Sequence, residues 1–189
     1  MSEMEDGLIL YHGSYCEVSE PDLSKCAKKK DFGQGFYLTT SREQAESFVK
    51  TSIVKALASG TLETSQSYGY ISVFKLISSK QLRIYIYEEA NVDWLHCIAA
   101  HRKKKLFPEV EVEMSKYDII VGKIADDATN STLTAYIGGA FGLAGNKEAD
   151  DFCIRQLLPN KLKDQYCFKT SRAIECLNFI GGEKICLKK

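Results

Sequence analysis

Proline is scarce in this chain, with three residues in 189, and no Pro-, Gly- or Ser-rich tract breaks it. Without a linker or internal repeat, the expectation is one domain over residues 1–189. Net charge is absent too: 25 basic residues balance 25 acidic ones. No global field draws the chain to nucleic acid or membrane, so any such contact must be local. No apolar run approaches 18 residues, which argues against a membrane span. Residues 1–7 are acidic and polar rather than basic and then apolar, unlike a secretory leader. Cys-x-x-Cys and Cys/His ligand spacings are missing, although the chain has seven cysteines. An odd number without metal spacing reads as reduced, mostly buried thiols in a cytoplasmic protein that needs no metal.

What is present is ordinary globular material: 44% apolar and 26% charged residues. Leu8–His12 reads as a first strand and Gly35–Thr39 as a second. Thr40 or Ser41 caps a helix whose apolar stripe is Ala45, Phe48, Val49, Ile53, Ala56 and Leu57. Residues 70–74 and 82–87 are strand-like, residues 91–102 helical, and residues 117–122 form a buried strand. Residues 132–158 are mostly helical, broken at Gly138-Gly139 and Gly142. Residues 165–168 form a strand, 171–177 a short helix, and 185–187 a last strand. The mixture is α+β rather than regular βαβ alternation.

Two segments concentrate the chemistry. In Leu10-Tyr11-His12-Gly13-Ser14, a histidine follows an apolar strand and precedes glycine. Its imidazole can bond a ligand hydroxyl while the bare Gly13 backbone pairs with an amide. It can equally be a histidine satisfied at a strand end. In Asp31-Phe32-Gly33-Gln34-Gly35-Phe36-Tyr37-Leu38-Thr39, alternation sends Phe36 and Leu38 to one face and Tyr37 to the other. A phenol facing away from the core can stack on a flat ring, or be an ordinary half-buried strand tyrosine. Gly33-Gln34-Gly35 is not a dinucleotide fingerprint, because the spacing differs and a strand follows. Arg102 could clamp a diphosphate or serve a helix C-terminus. Lys28–Lys30 and Arg102–Lys105 are basic runs that form an anionic-target patch only if they converge. His96 and His101 read as helix-surface residues, and Trp94 as packing.

Together these segments resemble the ADP-ribosyltransferase superfamily, in its histidine–tyrosine–glutamate-like class. His12-Gly13-Ser14 is similar to the first motif. Gly35-Phe36-Tyr37-Leu38-Thr39, running into Gln44-Ala45, is similar to the second. A narrower bacterial family within that superfamily shares further segments in order: Trp94-Leu95 to Arg102, residues 117–122 with Ala125-Asp126-Asp127, and residues 165–170. The resemblance implies a split β-sheet core with flanking helices and NAD as co-substrate. It implies that His12 bonds a ribose 2′-hydroxyl, Gly13 clamps the carboxamide, and Tyr37 stacks on nicotinamide, with Ser14, Phe36 and Arg102 completing the NAD contacts. The glutamate of the class falls on Gln165.

That position is the departure. A carboxylate stabilises an oxocarbenium-like sugar directly, whereas glutamine keeps only an acceptor oxygen and two donor hydrogens. Losing one preorganised electrostatic contact costs about 10²–10³ in rate. Gln165 is thus compatible with slower or mono-transfer chemistry, with compensation by Asp126 or Asp127, or with lost turnover. The implied function is transfer of ADP-ribose from NAD to a protein, DNA or RNA acceptor. The implied context is the toxin of a bacterial toxin–antitoxin or phage-defence system with a small antitoxin as partner. The alternative is a weak or inactive NAD- or ADP-ribose-binding module of the same fold.

Overall fold

The computed structural model describes residues 4–78, 80–125, 127–157 and 162–187, the side chains of 127 and 128 excepted. The fold is α+β, with two sheets. One is three-stranded in the order β1 (Ile9–Ser14), β3 (Tyr68–Leu76), β7 (Leu177–Cys186), antiparallel throughout. The other is four-stranded in the order β2 (Phe36–Leu38), β6 (Asp164–Phe168), β5 (Ile119–Lys123), β4 (Ile84–Ile86). Within it β4 and β5 run parallel, and the other pairs are antiparallel. A single bridge between Tyr11 and Thr39 joins the two sheets.

The period-2 pattern of the four-stranded sheet explains its position. Phe36, Leu38, Ile84, Ile119, Val121 and Phe168 point into a core shared with Leu10, Phe74 and Leu76 of the first sheet. Tyr37, Tyr85, Ile120 and Cys167 point into a second core with Phe32, Trp94, Leu95, Ile98, Leu133 and Cys153. Both faces are covered, so the strands read as continuous apolar runs. The phenol of Tyr37 therefore faces a second core rather than open solvent.

Helix α1 (Arg42–Ala58) starts at Ser41, whose side chain accepts from the Gln44 amide. The Ser41 amide donates to Thr39 Oγ1, and that hydroxyl donates towards Gln44 Oε1. Thr39 is thereby inserted into what would otherwise be a reciprocal capping box. Helix α2 (Val92–Arg102) is capped by Asn91, and it buries Trp94, Leu95, Cys97 and Ile98. Helix α3 (Pro108–Met114) begins on proline at its first turn, where the missing amide hydrogen costs nothing. Helices α4 (Asp127–Ile137) and α5 (Lys147–Leu157) flank the glycine-rich connection 138–146. Helix α6 (Ser171–Glu175) is capped by Thr170 and leads into β7.

All seven cysteines are free thiols, but only Cys97, Cys153 and Cys167 are fully buried, and Cys186 is exposed. Among the described residues no helix is long and apolar enough to cross a membrane.

Candidate functional site

The site lies where β1, β2 and β6 meet. His12 sits on β1 with Nδ1 2.8 Å from the Tyr37 carbonyl oxygen. A carbonyl only accepts, so Nδ1 carries the hydrogen and Nε2 is left as an acceptor in the neutral ring. Burial pushes the imidazole below its ordinary value of 6.5, the Tyr37 carbonyl opposes this, and nearby Lys30 adds a smaller push down. His12 is therefore a neutral imidazole whose acceptor atom is Nε2. Its ring packs on Phe36 at a centroid distance of 4.4 Å.

Tyr37 follows on β2. Its hydroxyl donates to the Gly33 carbonyl at 2.7 Å and accepts from the Phe32 amide at 3.0 Å. Burial, then Cys167 and Asp31, raise the phenol well above 10, so it remains protonated. The hydroxyl thus ties down the loop 31–35, and the ring packs against the second core. Tyr37 pairs with Cys167 across the sheet. Gln165 lies two residues along β6 on the same face, a diagonal neighbour at about 7–8 Å between backbones.

Gln165 is 5% exposed. Its Nε2 donates to Asp31 Oδ2 at 2.9 Å and to the Lys123 carbonyl at 3.3 Å. Asp31, 7% exposed, also accepts from Arg102 through Nε at 3.0 Å and Nη2 at 2.6 Å, and from the Ala125 amide at 3.3 Å. Arg102 spends a third donor on Asn130 Oδ1. The guanidinium is thus largely engaged inside the protein, with three of its five N–H groups bonded among the described residues. Asp31 was part of the glycine-rich segment but had no assigned role. The only sequence signal for it is an acid placed directly before a buried aromatic, Phe32.

The basic runs partly converge. Burial first, and then the neighbouring Lys55 ammonium, hold Lys30 below its ordinary value; Arg102 contributes the same way and Asp31 opposes. Lys30 thus feels the cations of Lys55 and Arg102, and its own charge is felt at His12.

The glycines of both motifs have a packing cause. A Cβ on Gly13 would lie 1.8 Å from the Ala45 carbonyl oxygen, so β1 touches the α1 backbone there. A Cβ on Gly35 would lie 2.5 Å from Cys167 Sγ. Gly33 has φ of +83° and faces the His101 ring. Ser14 is buried with Oγ 3.4 Å from Ser52 Oγ, and Phe36 is 4% exposed between His12 and Phe74. Both are buried and packed by protein neighbours rather than presented on an open surface. Asp126 lies outside the described residues, as does the side chain of Asp127, which opens α4.

His96 and His101 are not plain surface residues. His101 Nδ1 bonds the Cys97 carbonyl, and His96 Nε2 bonds buried Asp150 at 2.8 Å. Trp94 packs in the second core, and its Nε1 donates to the Lys123 carbonyl at 2.8 Å, the same oxygen that Gln165 reaches.

Fold and site together define an α+β protein of two bridged sheets. Beside the joint lies a buried polar network of Gln165, Asp31 and Arg102, with His12 bonded to the Tyr37 carbonyl. A family model described as "Protein of unknown function (DUF3990)" matches residues 8–179, and the chain belongs to that family. No curated protein matches it.

Proposed function

We propose that this protein is an NAD-dependent ADP-ribosyltransferase. The observations that carry the reading are the bond from His12 to the Tyr37 carbonyl across the joint between two sheets, and the place of Gln165 diagonal to Tyr37 on the neighbouring strand. The neutral His12 ring offers Nε2 to a ribose hydroxyl. The Tyr37 ring is fixed by its hydroxyl bonds, and a flat nicotinamide would stack on it. Lys30 and Lys55 would attract the diphosphate.

In the reaction, the bond from the ribose C1′ to the nicotinamide nitrogen breaks. Nicotinamide leaves with the electron pair and becomes neutral. A nucleophile on the acceptor forms the new bond to C1′ and gives up its proton to solvent. Holding acceptor and sugar in line supplies much of the acceleration. The acceptor is a macromolecule. A cytoplasmic toxin neutralised by a small antitoxin, in a toxin–antitoxin or phage-defence pair, is the setting that the resemblance favours.

Incubation of the purified protein with NAD labelled in the nicotinamide ring tests this. Release of nicotinamide by the wild type, abolished in His12→Ala and Tyr37→Ala, is the expected result. No release, together with no rise in melting temperature at millimolar NAD, would sink it. The neutral Gln165 favours a second reading, a binding module with little turnover. NAD would then raise the melting temperature without nicotinamide appearing.

A further inference from the structure

We propose that Asp31 is a positioning residue that sets which end of the Gln165 carboxamide faces the ligand. The proposal rests on the NAD-cleaving reading above and deepens it.

A carboxamide is nearly symmetric in shape, but its ends are opposite in chemistry: one accepts and the other donates. Its surroundings must choose. Around Gln165 the choice is forced, because both partners of Nε2 are acceptors. One is Asp31 Oδ2 and the other is the Lys123 carbonyl. That carbonyl also receives the Trp94 indole N–H, which keeps it in place. Turning the amide over would set Oε1 against a carboxylate and a carbonyl in a site that is 5% exposed. The end left for a sugar is Oε1, which can accept from a ribose hydroxyl and presents the negative end of the amide dipole.

Asp31 does not do this itself. Its Oδ1 takes two bonds from Arg102, and its Oδ2 takes Gln165 and the Ala125 amide. Each oxygen thus has its two acceptor positions filled. The charge sits one residue behind the site and acts through Gln165. Together the two residues divide what a single glutamate does in the resembled class: Gln165 brings the oxygen and Asp31 fixes its direction.

The test is a polarity swap. Gln165→Glu alone sets two carboxylates at hydrogen-bond distance. Asp31→Asn alone opposes an NH₂ to the Gln165 NH₂ or turns the amide over. The double variant, Asp31→Asn with Gln165→Glu, restores a donor opposite an acceptor at the contact between the two side chains, keeps the net charge, and leaves Arg102 a carbonyl oxygen to bond, while the Lys123 carbonyl and the Ala125 amide lose these partners. Nicotinamide release is followed as kcat and KM, beside the melting temperature of each variant. Each single variant is expected to lose about 10–100-fold in kcat, as supporting residues do elsewhere, with KM for NAD little changed. The double variant is expected to exceed both single variants in kcat, because the contact between the two side chains is restored.

A merely structural role would lower the melting temperature and leave kcat of the folded fraction intact. That result overturns the proposal, as does a folded double variant no faster than its parents. Where Asp31→Asn does not fold, Gln165→Glu and the double variant still make the comparison. A wild type that releases no nicotinamide overturns the NAD reading, and the role of Asp31 with it. A wild type that turns over beside a double variant that stays slow overturns the role alone.

Discussion

At the scale of single residues, one hydrogen bond of His12 fixes its chemistry and also its effect on stability. The imidazole donates from Nδ1 to Tyr37, and burial holds it below 6.5. His101 is held down in the same way, burial being the largest cause. Both are neutral in the folded state at a pH where the unfolded chain starts to bind protons. Their stabilising contribution is therefore complete above pH 6.5 and is lost as pH falls through the folded-state values. The loss is at most about 1.4 kcal/mol per pH unit for each ring. Thermal melts from pH 8 to pH 5 should show the melting temperature falling below pH 6.5, with a shallower fall in His12→Asn. An equal fall in that variant would mean that the slope comes from other groups. The neighbouring Gly13 makes a separate prediction. Its missing Cβ is the space into which the Ala45 carbonyl fits, so Gly13→Ala must push α1 off β1. Overpacking of this kind costs about 1–3 kcal/mol, readable as a lower urea midpoint at unchanged slope.

Elements are joined at the site by polar contacts that link distant segments. Arg102 ends α2, Asp31 opens the loop before β2, Gln165 lies on β6, and Ala125 follows β5. The Arg102 and Asp31 side chains are only 19% and 10% exposed. Removing one partner of a buried pair leaves the other charge without compensation, at about 3–5 kcal/mol. Arg102→Met should lower stability by that order in urea titrations. Arg102→Lys, which keeps the charge but loses the fork, should fall between. A loss below 1 kcal/mol in Arg102→Met would mean that the pair is screened by water.

Much at this scale was legible beforehand. Short apolar runs marked β1, β2, β5 and β6 to within a residue or two. The capping residues Ser41 and Asn91, with their helical periods, marked α1 and α2. Two elements were not legible. Helix α3 has the sequence Pro108-Glu109-Val110-Glu111-Val112-Glu113-Met114, whose valines alternate at strand period, and it buries only Met114. Strand β7 is ten residues long, but Gly181-Gly182 interrupts it, and a bulge shifts its register against β3. Only its end, Ile185-Cys186, reads as strand. In the site, His12 and Tyr37 could be named because each stands in a patterned strand, whereas Gln165 is reached only through the resemblance. Asp31 could not, since its role depends on partners 71 and 134 residues away.

At the scale of the whole molecule, the four-stranded sheet is shared by two cores. Alternate residues of the same strands, Ile119 and Ile120 on β5 or Cys167 and Phe168 on β6, belong to opposite sides. Neither core can be dismantled without uncovering one face of that sheet. The connection between the two sheets through backbone pairing, by contrast, is a single bridge between Tyr11 and Thr39. Side-chain burial, not strand pairing, must therefore couple the halves. The chain has one tryptophan, Trp94, fully buried in the core on the helical side. Its fluorescence reports that core alone, while far-UV circular dichroism reports all elements. If the shared sheet couples the cores, the two signals should follow one urea transition with a common midpoint. A ligand seated at the joint contacts both sheets, so saturating NAD should move both midpoints up together, by about 2.7 kcal/mol at a hundred times its dissociation constant. Separate midpoints would mean that the sheets unfold independently. A shift of the fluorescence midpoint alone would place the ligand on the helical side, away from His12.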